Sequence, residues 1–242
     1  PGWSRIRASV ESGSRGSLEE VNETRSLRRF YYDLFSTFYD LVIRLHSRDR
    51  EGLLRNFIAD QIHLSKGDQA LDLCTGTGSV AVELARRVSE KGLVVGLDFS
   101  AGMLGKAKEK SEKLNLDRLF LVQSYAHQLP FKPASFEGVT CSHAFYELKG
   151  QERNTAVDEV ARVLKKGGRF CLMEHAKPQR LLLRILFYIR IFFLGSKDAR
   201  KFLAEEESIL PGDFGNVRKM RSPTGQSMLI YGEKEGEIPR PF

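Results

Sequence analysis

Acidic and glycine residues in one short stretch give the chain its first chemical signal. Residues 70–78 read Ala-Leu-Asp-Leu-Cys-Thr-Gly-Thr-Gly, so Asp72 precedes a turn built on Gly76 and Gly78. Lacking a Cβ, these glycines let the backbone turn sharply and approach a ligand closely. Asp98 ends the next apolar run, at about the 20-residue spacing expected of a ribose-binding acid. Gly76-x-Gly78-x-x-Ala81 also satisfies a loose dinucleotide fingerprint. Asp72 opposes that reading, because a pyrophosphate near the turn would be repelled by the carboxylate. S-adenosylmethionine (SAM) carries an ammonium and a sulfonium and no phosphate, so an acid ahead of the glycines suits it. A tight turn with no ligand is the plain alternative, and it leaves unexplained two acids at the ends of two successive strands.

These residues need a frame that places strand ends side by side. The apolar run before Asp72 reads as a buried strand, and Val80–Val88 follows with helical spacing. Leu93–Leu97 is a second fully buried strand ending at Asp98, with Ser100 as N-cap of a helix over Ala101–Leu114. Leu119–Val122, Phe136–Ser142 and Arg169–Glu174 read as further strands. Gln151–Leu164 reads as a helix stopped by Lys165-Lys166-Gly167-Gly168. Val217–Met220 and Ser227–Tyr231, split by Ser-Pro-Thr-Gly, read as a hairpin within 216–232. Alternating strands and helices predict an α/β, Rossmann-like, mostly parallel sheet with ligands beyond the carboxyl ends of its strands.

Ahead of this core, 30–65 reads as two lid helices, an aromatic one over Phe30–Leu45 that carries Tyr39 and a second over Arg50–Ile62. Residues 1–29 are rich in Ser, Gly, Glu and Arg and read as a flexible tail, leaving 30–242 as a single domain. Residues 178–200 read as an apolar helix on the substrate side, Ala204–Ile209 reads as a short helix beyond it, and Arg180, Arg184 and Arg190 fall on one side of the apolar segment over 180–194. That segment is too short and too interrupted by arginine to span a bilayer at about 20 residues. It reads either as a helix packed on the domain's own core or as one that dips into a membrane interface.

The formal net charge of +7 favours an anionic membrane surface over nucleic acid, since no dense basic block is interleaved with aromatics. No secretory pattern stands at the beginning, and the expectation is a cytoplasmic protein, peripheral at the membrane if 180–194 is interfacial. Cys74, Cys141 and Cys171 lie in or beside predicted strands without metal-ligand spacing. They read as buried thiols in a reducing compartment, and no metal site is expected.

In this order and spacing the motifs resemble class I SAM-dependent methyltransferases. Within them they are similar to the ubiquinone/menaquinone biosynthesis C-methyltransferases, over about residues 31–231. The stretches that carry the resemblance are Leu71–Gly78, Val94–Leu104, Leu129-Pro130-Phe131 leading into Ser135-Phe136-Glu137, and Arg162–Gly168. The resemblance implies seven strands in the order 3-2-1-4-5-7-6, the last antiparallel, with helices on both faces. It implies a cofactor set of Tyr39, Asp72, Cys74, Thr75, Gly76, Thr77, Gly78, Asp98, Phe99, Met103, Tyr125, Ala126 and Ser142. In that set Thr77 meets the methionine end, Asp98 the ribose, Tyr125-Ala126 the adenine, and Tyr39 belongs to the lid. Three departures stand out. Tyr125 replaces the family's usual Asp or Asn, which points to stacking or backbone contacts for adenine. His143-Ala144-Phe145-Tyr146-Glu147 replaces Phe-Gly-Leu-Arg-Asn on the substrate side. The C-terminal part is shortened around Pro211–Asn216.

Methyl transfer to a carbon of an activated ring needs a base as well as proximity and desolvation. An imidazole with a pKa near 6.5 suits that task, and His143 follows the fourth strand. Tyr146, Glu147, Glu174 and His175 sit at the mouths of the fourth and fifth strands and are alternatives. Each reads equally well as a hydrogen-bonded loop residue. His46, His63 and His127 lack such a placement. The expected acceptor is small and lipophilic, such as a quinone precursor. A phospholipid headgroup, another small metabolite, or SAM binding without catalysis are the competing readings.

Overall fold

The apolar runs pair into one seven-stranded sheet of order β3-β2-β1-β4-β5-β7-β6. The structure is a computed structural model and describes residues 52–148, 150–176, 210 and 212–236. The N-terminal tail, the aromatic helix with Tyr39, residues 180–194 and Ala204–Ile209 lie outside the described residues. In chain order the elements are α1 (Leu53–Gln61), β1 (Gln69–Leu73), α2 (Ser79–Val88), β2 (Leu93–Asp98), α3 (Ala101–Lys113) and β3 (Leu119–Gln123). There follow β4 (Phe136–Ser142), a 3-10 turn (Phe145–Glu147), α4 (Gln151–Val163), β5 (Leu164–His175), β6 (Phe214–Arg221) and β7 (Ser227–Lys234). Strands β1 to β5 pair in parallel, and β7 runs antiparallel to both of its neighbours, β5 and β6.

Alternation along β1 divides the core between the two faces. Ala70 packs with Leu54 and Ile58 of α1 and Val80, Leu84 and Val88 of α2. Leu71 and Leu73 point the other way, with Val157 and Val160 of α4 and Phe170 and Leu172 of β5. Arg169 ties α1 to the sheet, donating to the Gln61 carbonyl at 2.8 Å and to Glu233 Oε1 at 2.6 Å. Ser100 caps α3, its Oγ accepting from the Met103 N–H at 3.2 Å, so this cap follows from the sequence.

Two boundaries differ from expectation. Helix α4 ends at Val163 and passes directly into β5, so the Lys-Lys-Gly-Gly run is not a helix stop. Leu164 is fully buried and already pairs with Phe136, while Gly138 pairs with Arg169; the intervening residues form a bulge inside the strand. The closing hairpin is also longer than its apolar alternation suggested. β6 is an edge strand whose residues 216–219 are all exposed, so no core imposes a pattern on them.

Candidate active site

The loop Cys74–Gly78, between β1 and α2, is held in shape by backbone bonds and by two buried acids. The Thr75 N–H donates to the Leu97 carbonyl at 2.9 Å, and the Gly78 N–H to the Thr75 carbonyl at 2.9 Å. Asp72 is 2% exposed and sits beneath the loop. Its Oδ2 accepts from Thr75 Oγ1 at 2.6 Å and its Oδ1 from Thr140 Oγ1 at 2.7 Å. Asp98 clips the loop from the neighbouring strand: Oδ2 accepts from the Gly76 N–H at 2.8 Å and Oδ1 from the Ser100 N–H at 2.9 Å. Burial pushes both carboxyls up to about 6, against the hydrogen bonds that favour their ionised forms.

Each left-handed glycine in the loop has its own purpose. Gly78, at φ 74°, lies so close to α3 that a Cβ would stand 2.9 Å from the Ala107 Cβ. Gly76, at φ 54°, has no atom of the described residues within 4 Å of where a Cβ would be, so among them the backbone there borders open space. Cys74 is left-handed too, at φ 55°, and its neighbouring thiol, with burial, pushes the Cys141 thiol well above its usual range. Behind the loop, Lys110 Nζ donates to Ser79 Oγ at 2.8 Å and to Thr77 Oγ1 at 3.2 Å, and Thr77 is 4% exposed.

Beyond Asp98 the aromatic rings line up. Phe99 and Tyr125 are nearly parallel, with centroids 6.3 Å apart and planes 9° from one another, and Tyr125 stacks in turn on His127 at 5.5 Å. Ala126 and Met103 are buried beside them. The start of this segment is fixed from α4. Glu159 Oε2 accepts from the Leu129 N–H at 2.7 Å, and Arg162 donates to the Leu129 and Phe131 carbonyls at 3.0 and 2.7 Å. Open space at Gly76, an adjacent carboxylate with lone pairs remaining, and flat rings alongside fit the cationic sulfur, ribose diol and adenine of SAM.

A second cluster forms at the ends of β4, β5 and β7. His143, left-handed at φ 54°, is half-buried. Its Nδ1 is hydrogen-bonded to Ser142 Oγ and its Nε2 to Ser227 Oγ, both at 2.9 Å. Burial first, and then the neighbouring His175, lower its imidazole from the ordinary 6.5 to about 3. The two rings lie 4.5 Å apart, and Tyr146 is 6.3 Å from His175. Glu174 is buried, and its Oε1 accepts from the Phe145 N–H at 2.8 Å and the Tyr146 N–H at 3.4 Å. Burial pushes this carboxyl up to about 8, with the charge of Glu147 adding to the effect. The sheet therefore gathers the predicted residues of both sets on one edge, except Tyr39, which lies outside the described residues.

Three residues of this edge escaped the reading of the sequence. Thr140 stands opposite Asp72 in the β1–β4 register, so it becomes visible once those strands are known to be neighbours. Ser227 reaches His143 because β7 starts opposite His175, and Lys110 reaches the loop from α3; no local pattern marks either.

The ubiE/COQ5 methyltransferase family matches residues 19–207, most of the chain. The chain belongs to the ubiE/COQ5 methyltransferase family. Among its relatives, the demethylmenaquinone methyltransferase of Oceanobacillus iheyensis is 33% identical over 156 residues, 64% of this chain and 65% of that protein. The chain thus spans just under two thirds of that relative's length. The Staphylococcus aureus (strain MRSA252) protein of the same name is 30% identical over 217 residues, 81% of this chain and 88% of the relative. A SAM-dependent methyltransferase from Aquifex aeolicus shares the fold, with a TM-score of 0.60 at 20% identity over 81% of this chain and 97% of its own. In this ubiE/COQ5 chain the strand order is the one implied by the resemblance, and SAM is the cosubstrate that membership implies.

Proposed function

We propose that this protein transfers the methyl group of SAM to a ring carbon of a small lipophilic acceptor, a quinone precursor in its reduced, hydroxyaryl form. The observation that carries the reading is the shared edge. The cradle at Gly76 and Asp98 and the polar cluster at His143, Tyr146 and Glu174 stand at the ends of adjacent strands, where a cofactor and an acceptor would meet. When bound, SAM supplies an electrophilic methyl on a sulfonium; the thioether is the leaving group, and the proton displaced from the ring carbon passes to water. In this reading Asp98 takes the ribose hydroxyls and Thr77, backed by Lys110, faces the methionine end. Phe99 and Tyr125 hold the adenine by stacking, which suits the absence of the family's usual acid or amide at position 125. Thr75, Cys74, Gly78, Met103, Ala126 and Ser142 shape the wall, and Asp72 acts from below through Thr75.

The acceptor side follows the chemistry of the cluster. His143 is neutral at physiological pH and tied at both nitrogens, so it holds Ser142 and Ser227 in place rather than taking up a proton. Tyr146 and Glu174 are left to face the acceptor. The relatives' names, demethylmenaquinone methyltransferase, support a prenylated quinol as that acceptor. The apolar, arginine-punctuated sequence of residues 180–194 supports a peripheral membrane contact through which it would enter. This requires binding to anionic liposomes that weakens with salt, and indifference to such liposomes at low salt would remove the membrane element.

The test is transfer from methyl-labelled SAM to a lipid extract supplemented with a short-chain demethylmenaquinol. Label is expected in the quinol fraction, on carbon. Label only in phospholipid amines, or SAM binding with no transfer to any fraction, would overturn the reading.

A further inference from the structure

Glu174 is the one buried acid of the edge whose carboxyl is only half used. Its Oε1 takes two backbone N–H groups from the turn after β4, which fixes the orientation of the whole group. Its Oε2 is buried and makes no hydrogen bond among the described residues. Asp72 and Asp98, by contrast, accept hydrogen bonds on both oxygens. A buried polar atom is costly to leave without a partner, so an orphan at the end of a strand beside the cofactor cradle points to a ligand.

From this geometry, and resting on the reading given under Proposed function, we infer that Glu174 anchors the acceptor as a neutral carboxylic acid, its Oε2–H donating to an oxygen of the acceptor ring. Both backbone donors approach Oε1, which leaves Oε2 to carry the proton. The groups around it keep the proton there. Burial is the largest influence, and the Glu147 charge on the 3-10 turn opposes ionisation. Arg153 on α4 favours ionisation without overcoming the rest, and the carboxyl titrates at about 8. Cys141 on β4 is a neutral thiol, pushed well above its usual range, and the neighbouring His143 on the loop after β4 is uncharged at neutral pH. His175 follows Glu174 on β5 and is exposed.

The consequence is a rule of selection. A neutral O–H donor binds a phenol, phenolate or carbonyl oxygen and has nothing to offer an ammonium. Such a donor also stabilises negative charge that gathers on the ring oxygen as the ring carbon becomes nucleophilic. The site thus takes oxygenated rings and rejects headgroup amines. It also separates two roles for one residue, because a general base would need Glu174 ionised and a donor needs it protonated.

Glu174→Gln distinguishes them. The amide oxygen can keep both backbone bonds, and its NH2 stands where Oε2–H did, with no titration. Turnover of the short-chain demethylmenaquinol is measured across about pH 6 to about pH 9.5, with melting curves as a control. For the wild type, kcat/KM is expected to fall above about pH 8, as the donor is lost. Glu174→Gln should keep activity within about tenfold at neutral pH and lose the alkaline limb, while Glu174→Ala should raise KM for the acceptor at unchanged SAM affinity. A glutamine variant that folds but loses about 10²-fold or more at every pH overturns the donor role in favour of a base. An alkaline limb that persists in the variant overturns it in favour of a structural carboxyl. Should the variant not fold, wild-type binding of the demethylmenaquinol in the presence of S-adenosylhomocysteine reads the same point: it must weaken as Glu174 ionises, and pH-independent binding refutes the inference. A wild type that methylates only amines refutes the acceptor reading and this inference together.

Discussion

Lowering the pH should weaken SAM binding through Asp98, and the size of the effect follows from the carboxyl's surroundings. Asp98 is 6% exposed and titrates at about 6, so the ordinary carboxylate is replaced by one that is protonated over a range where most are charged. Ribose hydroxyls and a cationic ligand both favour the anion. The fraction of binding-competent protein then falls from about 0.9 near pH 7 to about 0.1 near pH 5, which raises the apparent Kd about tenfold, on the order of 1 kcal/mol. The sign is set by the direction of the shift. A raised pKa keeps the proton on the free protein at low pH, so affinity must increase as pH rises. If Asp72, which also titrates at about 6, must ionise too, the fall approaches a hundredfold. Calorimetry in buffers of different ionisation enthalpy reads both Kd and protons released, about half a proton near pH 6 for Asp98 alone. Asp98→Asn keeps an oxygen for the Gly76 N–H but cannot titrate. It should bind SAM more weakly by about 1.5–3 kcal/mol and show a flatter profile. A wild-type affinity that is level between about pH 5 and about pH 7, or an asparagine variant with an undiminished slope, would refute the reasoning.

Gly78→Ala places a Cβ 2.9 Å from that of Ala107 on a backbone at φ 74°, so it should cost about 1–3 kcal/mol of stability and weaken SAM. A variant with unchanged melting temperature and SAM affinity would show the turn to be tolerant. Arg162→Ala removes the donors to Leu129, Phe131 and Glu159. Denaturant titration should show a loss of about 2 kcal/mol, and stability within error of the wild type would mean the segment after Tyr125 holds itself.

The turn at Gly76 and Gly78 was legible because an apolar run, two glycines and a helical pattern agree over a dozen or so residues. Ser100 was legible as a cap for the same reason. The end of α4 was not, since Lys165–Gly168 carries stop chemistry while Leu164, one residue earlier, is claimed by the sheet. Partners across strands were hidden as well: Asp72 meets Thr140, and His143 meets Ser227, only because of register. The displaced titrations of His143 and Glu174 come from burial, which no single residue's neighbours in sequence disclose.

Strand β7 sits between β5 and β6, so the last described element of the chain fills an interior place in the sheet. During synthesis, β1 to β5 leave the ribosome first with one side of β5 unpaired, and His143 without Ser227. The hairpin must then dock as a unit, since β6 reaches the sheet only through β7. A nascent chain arrested before Ser227 should therefore hold a formed Cys74–Gly78 loop next to an incomplete cluster around His143, and completion of the sheet waits on the docking of the β6–β7 hairpin as one unit.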